Sequence, residues 1–247
     1  MAKQTGLGDD YFHAGWHIGG DIQDIAVHGG PALLDVTDIT QSGHSRLGGL
    51  RDGGMSLTSF MDPSAGMEHA AFSTLPAADV IMTYLRGQAI GNPAACCNAK
   101  QLNYDLNRAN DGMLTFKVEG QSDGYGVEWG EQLTAGLRTD TGATNGATQN
   151  DLAATSFGAQ AYLQATAFTG TDVTVTIQHS TTGSGSWSTL MSFTQITGSV
   201  PQAQRISISN TSTVDQYVRA ITTTSGGFSS FAFQVTFVRN KTAGQVF

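Results

Sequence analysis

Apolar and polar residues alternate along much of the chain, and a period of two places one side of an extended segment on a core and the other in solvent. Residues 21–27 follow this pattern and predict a half-buried strand. Residues 32–39 predict a second strand, after a turn at His28-Gly29-Gly30-Pro31. Residues 41–54 are too rich in glycine for regular structure and predict a loop, long for a compact domain. Alternation returns at 55–62 and 80–85, and between them 63–75 predicts the single helix, stopped by Pro76. Strands at 96–106 and 113–119 flank Asn110-Asp111-Gly112, a hairpin signal. The first unit closes near 129–137.

The second half reads almost wholly as strands, at 160–168, 172–179, 187–193, 205–209, 216–221 and 228–238, with polar turns between. Six strands at this spacing predict a β-sandwich, Ig-like or jelly-roll-like. Residues 139–150 are small, polar and aperiodic, which predicts a flexible linker. The expected organisation is an arm at 1–20, a β domain at 21–138 whose loop 41–54 reaches another subunit, a linker at 139–153, and a sandwich at 154–247. The fold class is all-β with one short helix.

Composition adds to this picture. Of 247 residues 39% are hydrophobic, sufficient for a packed core, and only 13% are charged against a usual value of about 25%. Residues 1–150 hold 8 Lys and Arg against 17 Asp and Glu, whereas residues 151–247 are nearly balanced. An acidic half argues against wrapping nucleic acid, which needs cations to displace counterions. It is compatible with nucleic acid sliding past without sticking. Cys96 and Cys97 are adjacent, so on a strand they point to opposite faces and read as two buried thiols rather than a disulfide. No run approaches the roughly 18 apolar residues of a membrane helix, and the N-terminus lacks an apolar signal core, so synthesis and assembly in a cytoplasm are expected, with no membrane partner.

The search for chemistry predicts a non-enzymatic chain, with no catalytic residue, cofactor or metal. His13 and His17 have a spacing that suits two ligands on a helix, but Gly15, Gly19 and Gly20 disfavour a helix there. The glycine-rich stretch at 48–54 contains no lysine, so it is no phosphate loop, and Gly183-Ser184-Gly185-Ser186 lies in a turn rather than at a nucleophile elbow. Acidic pairs such as Asp21 with Asp24, Asp35 with Asp38 and Glu128 with Glu131 read as solvated or wall-lining groups.

The order of elements over residues 32–85, with the phrase Leu50-Arg51-Asp52-Gly53-Gly54-Met55-Ser56-Leu57-Thr58 and the helix around His69 to Phe72, resembles the major tail tube proteins of siphophages. The second half, with Val173-Thr174-Val175-Thr176-Ile177, Gly185-Ser186-Trp187 and Phe233-Gln234-Val235-Thr236-Phe237, resembles the sandwich appended to many actinobacteriophage tail proteins. The resemblance implies a tail-tube-type β-barrel or sandwich domain, a homo-hexameric ring stacked into a tube, and an acidic lumen for DNA ejection. It implies a virion protein whose partners are other copies of itself, the tape measure, tail terminator and distal tail proteins, and transiting viral DNA that it does not bind specifically. Expected inter-subunit contacts are Leu47, Leu50, Arg51, Met55, Tyr11, Phe12 and Trp16. The alternative is a tail- or capsid-associated adhesion or decoration protein whose sandwich stacks host-surface glycans on Trp187, Tyr162 and Tyr217.

Overall fold

The computed structural model describes residues 5–244, so the first four residues of the expected arm lie outside the described part. In chain order the strands are β1 (Asp10–His13), β2 (Trp16–His17), β3 (Ile22–Asp35) and β4 (Arg46–Phe60). The helix α1 (Glu68–Phe72) follows, then β5 (Val80–Leu85), β6 (Pro93–Gln101), β7 (Asp105–Arg108) and β8 (Leu114–Gln132). The second half comprises β9 (Arg138–Asp140), β10 (Gln149–Asn150), β11 (Ala159–Gly170), β12 (Thr174–Ser180), β13 (Ser188–Ser192), β14 (Gln202–Ser207), β15 (Tyr217–Thr223) and β16 (Phe228–Arg239). The fold is all-β with one short helix, and among the described residues every strand pairing is antiparallel.

Twelve strands share one sheet, whose main path runs β14-β11-β16-β8-β6-β5-β1-β2. The 19-residue β8 is its hub. Its first half pairs with β4 and β7, its second half with β6, and its last residues Glu131 and Gln132 meet Phe237 and Thr236 of β16. A second sheet, β10-β15-β12-β13, covers the β11–β16 face. Between them lies a core of alternating inward residues that includes Leu163, Val175, Ile177, Val218, Phe231, Phe233 and Val235. This is the sandwich that the alternation at 172–179 and 228–238 predicts.

The first half has its own core around Tyr11, Met55, Leu57, Phe72, Met82, Phe116 and Val118. Cys97 faces it, while Cys96 faces Ile81, Tyr162 and Val238 at the junction of the halves, so the neighbouring thiols do point to opposite sides. The junction is polar as well as apolar. Gln164, fully buried on β11, donates to Ile81 O (3.0 Å) and Thr83 Oγ1 (2.9 Å) and accepts from Gly15 N (2.7 Å). Residues 139–153, expected as a flexible linker, carry β9 against β16 and β10 against β15. Arg138 and Asp140 form a two-pronged ion pair there, at 2.8 and 2.7 Å.

Three local expectations are corrected. Residues 10–20 are not a loose arm, because β1 joins the sheet edge beside β5 and buries Tyr11, Phe12 and Ile18. His28-Gly29-Gly30-Pro31 is no turn, since β3 runs through it in register with β4. The glycine-rich stretch 46–54 is strand rather than loop. Its glycines serve close approach: a Cβ on Gly54 would sit 2.3 Å from Gly120 O, and one on Gly53 2.6 Å from His28 O and 3.1 Å from Val127 Cγ2. Pro31, which lacks a donor, is tolerated because β3 is an edge strand.

Candidate functional site

The outstanding surface feature is the hairpin of β3 and β4. Its base is part of the first core, with Val27 opposite Met55, Ile25 opposite Leu57, and β4 continuing onto β8 from Gly54 to Phe60. Beyond Gly54 β4 pairs with β3 alone; residues 29–31 and 51–53 lie over β8 near Val127 and Trp129, and residues 32–49 continue past it as a two-stranded ribbon. A two-stranded ribbon is marginal by itself in water.

Its tip is apolar where an isolated ribbon would be polar. Leu33 is 69% and Leu50 88% exposed, and Leu34, Val36, Ile39 and Leu47 are also exposed. The far turn is nevertheless built. Thr37 N and Thr40 N donate to Asp35 Oδ1 (2.9 Å) and Asp38 Oδ1 (2.8 Å), His44 Nδ1 meets Asp35 Oδ2 at 3.0 Å, and Val36 N donates to Ser45 O (2.9 Å). The Thr37 hydrogen bonds hold the Asp35 carboxyl below its usual range, and those of Thr40 do the same for Asp38. Where the ribbon leaves the body, Pro31, Gly49, Leu50 and Arg51 face Ser122, Gly124 and Tyr125 across a groove of about 630 Å³. The Arg205 guanidinium covers the Tyr125 ring at 3.5 Å.

The two faces of the β3-β4-β8-β7 sheet differ in character. One carries Ile25, Leu57 and Val118 into the core. The register places Asp24, Thr58, Lys117 and Asp105 in one row of the opposite face, and Ala26, Ser56 and Glu119 in the next. Asp52 lies on this polar face too, accepting from Gln121 Nε2.

Of the residues expected to meet another subunit, Leu47 and Leu50 are exposed on the ribbon and Arg51 lies at its groove. Tyr11, Phe12 and Met55 are corrected, because each is buried in the chain's own core; Trp16 is half-buried against the same core. Leu33, Leu34, Val36 and Ile39 went unrecognised as surface residues. Leu33 and Leu34 do lie on a strand, whereas Val36 and Ile39, expected on the same strand, lie in the turn after Asp35; nothing local separates a buried apolar face from one awaiting a partner.

Tyr162 is likewise corrected as a stacking residue. It is fully buried, its hydroxyl donates to Glu128, and Arg205 Nε reaches Glu128 Oε2 at 3.0 Å. Trp187 and Tyr217 are half-buried on the second sheet's side, with the Arg219 guanidinium 4.1 Å from the Trp187 ring. The histidine pair is dispersed. His13 is buried against Phe72, which pushes its pKa down to about 4, whereas His17 stacks on Phe12 and meets Asp10 at 2.8 Å.

No family model and no curated protein matches the chain. Several solved structures share part of its course. A chain of a native gene transfer agent virion covers 51% of this chain and 98% of its own length, at 12% identity and a TM-score of 0.41. A chain from the tail of an empty gene transfer agent particle, refined with C6 symmetry, covers 42% and 78%, at 13% identity and a TM-score of 0.36. The Dit protein of phage SPP1, described as a hub of the adsorption apparatus, covers 94% and 99%, at 11% identity and a TM-score of 0.33.

Proposed function

We propose that the chain is a structural subunit of a phage tail, located in the virion, that assembles with copies of itself through the β3–β4 ribbon. The observation that carries this reading is the ribbon: leucine, isoleucine and valine side chains stand exposed on a projecting element that has two open edges beyond Gly54. Exposed apolar groups on one contiguous element mark an interaction surface. An unpaired edge is a template for another strand. Rotational symmetry turns such a contact into a closed ring, and repetition along an axis turns it into a stack.

Within this reading the tail tube is the specific assignment, and the strand order and phrasing of residues 32–85 support it. The polar face bearing Asp24, Asp52, Asp105 and Glu119 against Lys117 is then the lumen wall, where carboxylates repel passing phosphate. The sandwich decorates the outside. A glycan-binding role for the sandwich has less support, because Tyr162 is removed from the surface and Trp187 already stacks with Arg219.

Negative-stain microscopy and sedimentation of the purified chain test the proposal. Rings or short tubes at micromolar concentration are expected. A monodisperse monomer at every concentration and salt condition overturns it.

A further inference from the structure

The hairpin's base carries a cluster that sequence spacing does not suggest. Asp21 ends the turn before β3, Asp62 follows β4, and Glu68 opens α1. Each offers a carboxylate oxygen, and the three oxygens lie within 4.8 Å of one another. Acidic clusters are common on surfaces, where water separates the charges. Here Glu68 is 1% exposed, and its Oε2 is buried without a hydrogen-bond partner. A buried carboxylate oxygen without a donor is costly, and the other two carboxylates raise that cost.

We propose that Asp21, Asp62 and Glu68 hold a divalent cation of the calcium type. Ca²⁺ takes oxygen ligands at about 2.3–2.6 Å, so oxygens on one ion lie up to about 5 Å apart, which the observed spacing satisfies. Mg²⁺ demands near-ideal octahedral geometry and holds its own waters tightly, which three carboxylates from separate segments suit less well. The remaining positions of the shell are open to water, because Asp21 and Asp62 are only half-buried. A cation supplies the charge this arrangement lacks.

The placement gives the ion a structural consequence. Asp21 O already accepts from Ser59 Oγ (3.0 Å), and Asp62 O from His69 N (3.3 Å). A cation joining the three side chains ties the entry of β3, the exit of β4 and the helix together, and so fixes the direction in which the ribbon leaves the body. This inference is independent of what the ribbon binds.

Calorimetric titration of the full chain with CaCl₂, after removal of metals with a chelator, tests it. The expected result is one ion per chain with a Kd on the order of 10⁻⁴ M, as suits a site with three carboxylates and several waters. At about a hundredfold excess over that Kd, Tm rises by roughly 5 °C or more. Glu68→Gln keeps the shape, weakens binding by at least about tenfold, and leaves Tm in chelator unchanged or higher because a buried charge is gone. Asp62→Asn weakens binding similarly. Absence of calcium binding by the wild-type chain, undiminished binding by Glu68→Gln, or MgCl₂ binding as tightly as CaCl₂ overturns the proposal.

Discussion

Leu34 of β3 stands directly opposite Leu47 of β4 near the tip of the hairpin, and both side chains are more than half exposed, at 52% and 57%. Cross-strand pairs of this kind help a ribbon hold its register, each contributing about 0.2–1 kcal/mol. Nearer the base of the same hairpin, Ile25 opposite Leu57 and Val27 opposite Met55 pack into the core. Here no described element of the chain covers Leu34 and Leu47.

Replacing both residues, Leu34→Asp with Leu47→Lys, keeps a cross-strand pair and removes the apolar tip. Sedimentation velocity is expected to show loss of assembly, while Tm changes by no more than about 2 °C, as for surface substitutions. A large fall in Tm would instead mean that the tip is part of the monomer's own core.

Glu128 and Arg205 join the first and second halves in a buried pair, with 1% and 9% of their side chains exposed. Removing one partner leaves the other charge buried and alone. Arg205→Met is expected to cost about 3–5 kcal/mol in urea unfolding, and Arg205→Met combined with Glu128→Gln to recover a large part of it. A cost within about 0.5 kcal/mol would show that the halves are not joined here.

Gln164→Leu tests the same junction without charge. The substitution leaves Gly15 N without its partner and removes one of two partners from Ile81 O and Thr83 Oγ1, which keep Ala14 N and Cys96 Sγ. Destabilisation of about 1–3 kcal/mol is expected. Faster hydrogen exchange should appear in peptides covering β1 and β5.

Glu131, beside Asp151, makes stability fall with rising pH. Burial first, and Asp151 second, push its pKa from 4.5 up to about 8. Between those values the unfolded chain has released a proton that the folded chain retains, so stability declines as pH rises from about 4.5 to about 8 and levels off above. Glu131→Gln abolishes this component. The difference in unfolding free energy between wild type and variant, followed from pH 4 to pH 9, is expected to move in the variant's favour over that window. A constant difference would contradict the assignment.

The second half was legible because its physics is local. Alternation at 172–179 and 228–238 reports one dry face and one wetter one, and polar turns separate the runs. The first half was harder for two reasons. Glycines at 48–54 look like loop to any local rule, yet Gly53 and Gly54 are needed where the ribbon crosses β8, a contact between residues far apart in sequence. Tyr11, Phe12 and Trp16 lie among glycines and histidines without a clear period, so nothing local revealed that β1 completes the sheet beside β5. At the candidate site, Leu47 and Leu50 were legible as apolar residues in a polar context. Leu33 and Leu34 were not, because a strand awaiting a partner has the same pattern as one that has found it, and Val36 and Ile39 were read into that strand although they lie in the turn after Asp35.

Hydrogen exchange followed by mass spectrometry as a function of protein concentration bears most directly on the ribbon. In dilute solution the backbone amides of residues 32–50 have open edges and exchange within seconds to minutes. On assembly those amides are predicted to slow by at least about a hundredfold, more than any other segment, as neighbouring chains cover them. Assembly that leaves residues 32–50 exchanging as fast as in the dilute protein would contradict the account.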